Sequence, residues 1–182
     1  MNAMHAETRD PAPALAPADG DGRLSLAWQA LAAVDDPEIP ALSIVDLGLI
    51  RSVELASNGT LEVGLSPTYL GCPATEVIRG SVEHALGNAG VGAFAVINVL
   101  SPAWTSDWIT AEGRRKLESY GIVPPERSAA SLREILNPRR AVGCPRCHSN
   151  DTECVSEFGS TPCKALHRCR ACLEPFEYFK CI

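Results

Sequence analysis

The sequence predicts an α+β fold: a small α-β-β-α-β-α domain on a short mixed sheet, followed by a C-terminal zinc-ribbon-like β module. Three observations predict it. Apolar residues recur at helical spacing over residues 24–34 and 73–88. Between those segments, Asn58-Gly59 separates two stretches that alternate like strands. At the far end, Cys144-Pro-Arg-Cys147 and Cys169-Arg-Ala-Cys172 repeat one two-residue spacer, 21 residues apart.

Residues 1–23, rich in Ala, Pro and Asp, read as a disordered arm. Leu24, Ala27, Trp28, Leu31 and Val34 then form one apolar face and predict the first helix. Asp35-Asp36-Pro37 stops it, because the residue before proline avoids the helical region. Two prolines make Asp36-Pro37-Glu38-Ile39-Pro40 a rigid, extended loop, which continues into Ser43-Ile44-Val45-Asp46-Leu47-Gly48. Residues 49–56 and 60–66 read as paired strands, with Val53 and Leu55 matched to Leu61, Val63 and Leu65. Both turn residues, Asn58 and Gly59, tolerate positive φ.

A second helix is expected over 73–88, with Ile78, Val82, Ala85 and Leu86 as its buried stripe. Pro73 suits the first helical position, which puts Cys72 at or next to the N-cap. Residues 93–100 are apolar on both faces and read as a central strand. Thr110 is placed to cap a third helix that runs to Tyr120 and stops at Gly121. Pro124-Pro125 opens a connector with a short helix near 132–136, ended by Pro138. The chain therefore divides into an arm (1–23), an α+β domain (24–123), a linker (124–140) and a Cys-rich module (141–182).

Of the 182 residues, 46% are hydrophobic, enough for a packed core, and the formal net charge is −6. Residues 139–182 hold seven Lys/Arg against five Asp/Glu, so the acidity lies in the first part of the chain. No basic stripe argues for nucleic acid. No apolar run approaches the roughly 18 residues of a membrane span. The first residues lack the basic start and apolar run of a secretory signal, so the expected compartment is the cytoplasm. Thiols kept reduced there favour metal over disulfides.

Seven of the eight cysteines lie between Cys144 and Cys181. A Cys-x-x-Cys turn aims two sulfurs at one point, and two such turns on facing hairpins give a thiolate tetrahedron suited to structural Zn²⁺. An iron–sulfur cluster would accept the same ligands, Cys144, Cys147, Cys169 and Cys172. His148 and His167 flank the two turns as substitute ligands. Cys154, Cys163 and Cys181 remain. Cys163 is the most suggestive additional thiol, because Lys164 beside it would favour a thiolate. Cys72 is the most interesting single residue, since free amides and the positive end of a helix favour ionised sulfur. Asp35, Asp36, Glu38 and Asp46 cluster in one loop, where turn and capping roles compete with metal binding. The run from Gly87 to Gly92 follows a helix and precedes a strand, so it reads as a C-cap and turn, not a dinucleotide loop.

Asp36-Pro37-Glu38-Ile39-Pro40, Ser43 to Gly48 and Gly71-Cys72-Pro73 resemble the SufT-like family of iron–sulfur assembly proteins over residues 24–121. Ser101 to Thr110, Tyr120 to Pro125 and the tail from Glu174 to Cys181 are similar to its PaaD-like branch, which acts in phenylacetate degradation and carries the added cysteine module. The resemblance implies an accessory of the multicomponent oxygenase that epoxidises the ring of phenylacetyl-CoA. It implies metal or cluster delivery through Cys72, Asp36 and Glu38, with the oxygenase and reductase subunits as partners and with iron or an Fe–S cluster as transient cargo beside structural zinc. No catalysis of its own is expected. An electron-transfer subunit, an adaptor and a general Fe–S carrier stay open as alternatives, as does a homodimer.

Overall fold

The computed structural model describes residues 22–69, 71–125 and 142–180. The arm up to residue 21, the connector helix expected near 132–136, and Cys181 lie outside them. Helix α1 (Gly22–Ala32) buries Ala27, Trp28 and Leu31. Its last turn tightens, with the Ala33 and Val34 amides donating to Ala30 and Leu31. The chain then folds back on itself. The Asp36 amide donates to the Leu42 carbonyl at 2.8 Å and the Ile44 amide to Val34 at 2.9 Å. The Asp-Pro-Glu segment is thus a closed loop whose apolar members, Ile39, Leu42 and Ile44, are fully buried.

Strands β1 (Ile50–Leu55) and β2 (Leu61–Leu65) pair antiparallel, with Val53 opposite Val63 and Leu55 opposite Leu61. Only Gly59 of the turn takes positive φ, at 79°. Asn58 instead uses its side-chain carbonyl to accept the Thr60 amide at 2.9 Å. Helix α2 (Thr75–Ala89) buries Ile78, Val82 and Leu86 and returns the chain to β3 (Phe94–Asn98), which runs parallel to β2. The sheet order is β1-β2-β3. The central strand is therefore β2, whose Leu61, Val63 and Leu65 are fully buried, and β3 lies at an edge with Ile97 44% exposed. The hairpin claims one side of β2, which leaves β3 only the outer position despite its two apolar faces.

After a 3₁₀ turn (Ser106–Trp108), helix α3 (Ala111–Ser119) starts at Thr110, whose hydroxyl accepts the Gly113 amide at 2.9 Å. It ends at Tyr120, and Gly121 follows with φ +85°. Strand β4 (Ile122–Val123) then joins a second sheet of order β4-β7-β6-β5. Strands β5 (Thr152–Ser156), β6 (Lys164–Cys169) and β7 (Pro175–Phe179) are an antiparallel ribbon, and β4 pairs with β7 in parallel. The ribbon also enters the core of the first sheet. Cys163 and Phe179 belong to the same buried cluster as Leu47, Leu65 and Trp104. Phe179 lies 6.2 Å from the Trp104 ring, which is held by an Nε1–H bond to Leu47. Among the described residues no helix is long and apolar enough to cross a membrane.

Because Phe179 is 1% exposed and faces the other module, truncating it to alanine should cost about 3–5 kcal/mol. Phe179→Ala should lower the thermal midpoint followed by tryptophan fluorescence. It should also sharply increase proteolysis of the ribbon. A midpoint equal to wild type would mean that the two sheets are not joined through this side chain.

Candidate metal centres

The ribbon places four thiols at one point. In the first knuckle the Cys144 amide donates to Ser149 and the His148 amide returns to Cys144, each at 2.9 Å. In the second, the Cys169 amide donates to Glu174 at 2.9 Å and the Cys172 amide approaches the Cys169 sulfur at 3.5 Å. The residue after each second cysteine, His148 and Leu173, adopts positive φ, at 60° and 65°. Neither is glycine, so nothing in the sequence signals that shape. The Cys144 and Cys172 sulfurs are 3.7 Å apart, those of Cys147 and Cys169 3.6 Å, and all four lie within 4.8 Å of one another. A tetrahedron with metal–sulfur bonds of about 2.3 Å has edges of about 3.8 Å, so the donor set fits zinc. Burial resists ionisation of Cys144, yet the Cys147 and Arg146 amides bring it down to about 7. The Glu174 amide favours the Cys172 thiolate, but desolvation and the other three sulfurs carry that group up to about 12. Thiols that share protons at one point are what a bound cation would deprotonate together.

The histidines stand outside this group. His148 is exposed on the knuckle. His167 is buried between Phe176 and Tyr178, with ring centroids at 5.7 and 5.8 Å, and burial pushes its pKa down. Cys154 is exposed on β5, where desolvation and then Glu157 raise its pKa.

The second candidate centre lies between the modules. Cys72 is half-buried in the turn before α2, its amide donating to Tyr69 and its carbonyl accepting from Thr75. The helix N-cap is Ala74, so Cys72 sits two residues ahead of it and not on it. Pro73 and Ala74 form a turn and leave the helix to begin at Thr75. Asp36, Glu38, Ser66, Cys72, Cys163 and Phe179 line one cavity of about 20 Å³. Asp36 Oδ1 accepts the Glu38 and Ile39 amides at 2.9 and 2.8 Å, so it shapes the loop while facing the cavity. Cys163 Sγ approaches Glu38 Oε2 at 3.8 Å.

Burial pushes the Asp36 carboxyl above its ordinary value, against the pull of the Ile39 and Glu38 amides. Glu38 is raised by burial and by the Asp36 charge. Tyr69 is pushed up to about 12 by desolvation and by Cys72. Cys163 departs from expectation. Its pKa is raised by burial, and Glu38 and Asp36 add to the shift. Thr161 and Lys164 pull the other way without overcoming burial, and the Lys164 ammonium is also paired with Glu177 at 3.1 Å. The acidic cluster also divides. Asp35 is exposed, and Asp46 turns away to Lys116 Nζ at 2.7 Å and to the Ser43 amide and hydroxyl. Burial alone would raise Asp46, but those three partners hold it below the usual range.

Two family models match, "Iron-sulfur cluster assembly protein" over residues 27–99 and "PaaD zinc beta ribbon domain" over residues 128–180. A protein of Escherichia coli K12, provisionally named as a component of 1,2-phenylacetyl-CoA epoxidase, is 48% identical over 155 residues, which are 85% of this chain and 91% of that one. The chain belongs to the PaaD-like family. The first domain of this PaaD-like chain has further relatives. An Fe-S protein maturation auxiliary factor of Porphyromonas gingivalis is 34% identical over 48% of this chain and 83% of its own. A solved DUF59 domain from Bacillus anthracis is 27% identical, with a TM-score of 0.47, over 51% of this chain and 89% of its own. Cys72, Asp36 and Glu38 fall inside the segment matched as an assembly protein, and the four clustered thiols inside the ribbon match.

Two outcomes are expected here. Cys147→Ser should abolish stoichiometric metal and leave the ribbon open to protease, because a module of this size has little core of its own. Metal analysis and limited proteolysis check it, and protease resistance without metal would refute it. Asp36→Asn keeps an oxygen for the Glu38 and Ile39 amides but removes the charge. An acid with a raised folded-state pKa contributes stability below its unfolded value, near 3.8, and loses that contribution as pH rises through the folded value. Denaturant unfolding should therefore find Asp36→Asn more stable than wild type at pH 7, with the gain fading toward pH 4.

Proposed function

We propose that this protein is a maturation accessory of a phenylacetyl-CoA epoxidase, delivering iron or an Fe–S cluster to its oxygenase or reductase subunits in the cytoplasm. The observation that carries the reading is the pocket of Cys72, Asp36 and Glu38, inside a segment similar to Fe–S maturation factors, on a chain similar over most of its length to a protein named for the epoxidase. Cys72 and Glu38 would bind the cargo, a soft and a hard donor lining the same pocket. Asp36 positions Glu38 through its amide. Ile39, Leu65 and Phe179, which also line the pocket, keep bulk water away. Zinc on Cys144, Cys147, Cys169 and Cys172 would serve as a cross-link that folds the ribbon, not as a reactive centre.

The same four thiols also suit an iron–sulfur cluster, which is the specific observation behind a second reading, an electron-transfer subunit. A deletion strain separates the two. Cells lacking this chain should fail to grow on phenylacetate while growing on succinate. Oxygenase and reductase purified from them should be present but short of iron or cluster, and Cys72→Ala should behave like the deletion. Fully loaded components, with turnover restored at once by adding purified protein without iron, would overturn maturation. A visible band that bleaches on reduction of the purified protein would then identify the electron carrier.

A further inference from the structure

The first sheet buries only one of its sides. Val53, Leu61 and Val63 lie in the apolar cluster that holds Leu31 of α1 and Val82 of α2. The register fixes what the opposite side carries. Glu54 pairs with Glu62 and Ser52 with Gly64, while Ala95 and Ile97 of β3 stand beside Glu62 and Gly64. A Cβ at Gly64 would lie 2.7 Å from Ser52 Oγ and 3.0 Å from Val99 Cγ2, so the centre of this side is closely packed. Around it, Glu54, Glu62 and Ile97 are exposed, Ile97 to 44%, and Leu100 follows at 54%. Two features here bring the fold no gain. Glu54 and Glu62 stand directly opposite each other on antiparallel strands, where like charges repel. Neither has an ion pair among the described residues, whereas Glu83, Glu112, Glu153, Glu174 and Glu177 each have one. Beside them, Ile97 and Leu100 leave apolar surface in water.

We propose that this sheet face docks a partner protein through a Lys or Arg set between Glu54 and Glu62, with an apolar side chain next to it resting on Ile97 and Leu100. Charge selects among the occupants. A second copy meeting the face with its own would set these glutamates against the same glutamates. The arm of residues 1–21 carries Glu7, Asp10, Asp19 and Asp21 against Arg9, so it is repelled as well. A basic partner relieves the Glu54–Glu62 repulsion and gains complementarity. It docks on the face and not as an added strand. Ala93 and Val99 bond to β2, so by alternation the Val96 carbonyl points outward, and Arg79 of α2 takes it at 2.8 Å. The proposal rests on the maturation reading for which partners to try, the oxygenase and reductase subunits, and adds where one of them docks.

The test uses the full-length, zinc-loaded protein and the purified oxygenase and reductase subunits, with dissociation constants measured at low and high salt. Glu62→Lys sets an opposite charge facing Glu54. It should leave the thermal midpoint of the free protein at or above wild type, yet weaken binding to the partner subunit about tenfold and flatten its salt dependence. Ile97→Ser should weaken binding by a similar factor and keep the salt dependence. Glu118→Lys, an exposed change on α3, should bind as wild type. A face that mattered only for folding would lose stability and binding together. If Glu62→Lys and Ile97→Ser bind as wild type, the docking face is wrong while the maturation reading survives. If Glu62→Lys lowers the midpoint and leaves binding alone, the chain's own basic stretch at residues 126–141 covers the face, and the proposal fails. A wild-type dimer that Ile97→Ser dissociates would assign the face to a second copy and overturn it too. If neither subunit binds the wild-type protein, the partner reading falls together with the proposal.

Discussion

The burial of the β6–β7 end of the ribbon against the Asp-Pro-Glu loop is the contact on which the rest depends. Phe179 packs on Trp104, and Cys163 sits over Glu38. Strand β4, at the end of the first domain, continues the ribbon sheet through β7. Without this contact the α+β domain would have an open groove beside Cys72, and the ribbon would be a metal knot with a three-residue buried cluster of Cys144, Cys169 and Phe176. Small modules of that kind depend on a cross-link or a neighbour for stability, and this one has both four thiols in a geometry that fits a metal and a neighbour.

The cost of the contact is electrostatic. Closing the groove desolvates two carboxyls and a thiol within reach of one another, and all three rise in pKa for that reason. A fold optimised for stability alone would not keep Asp36 at 7% exposure beside a second acid. Groups retained against such a penalty are the usual mark of a functional site. Asp46 provides the contrast within the same loop. It is equally buried, but Lys116 and Ser43 satisfy it, and its pKa falls. Its work is architectural: its carbonyl accepts the Thr110 amide, and a Cβ at Gly113 would lie 2.7 Å from that oxygen, so α3 seats directly on it. Gly48 is equally constrained, at φ +68° with the Trp108 carbonyl crowding the place a Cβ would take.

Much was legible in the sequence because it depends on spacing along the chain. The helical periods, the Asn58-Gly59 turn, the Thr110 cap and the paired Cys-x-x-Cys turns are local patterns, and their physical causes act within a few residues. The Asp-Pro-Glu loop and Cys72 were legible as residues to watch, through chemistry and resemblance.

What the sequence could not decide concerned contacts made across the chain. Whether residues 93–100 sit at the centre or the edge of the sheet depends on which side of β2 the hairpin occupies, not on their own composition. Whether Lys164 activates Cys163 depends on how deeply the thiol is buried, and here burial outweighs the nearby ammonium, which is also paired with Glu177. That Asp36 and Asp46 part company depends on α3 bringing Lys116 to only one of them, 70 residues away. That Cys163 lines the same cavity as Cys72 and Ser66 has no signal along the chain, since it arises from burying Phe179 in the other domain. Local periodicity and turn chemistry therefore determined the elements and the thiol knot. Tertiary packing, which sets burial and charge partners together, decided which acids and thiols share a cavity.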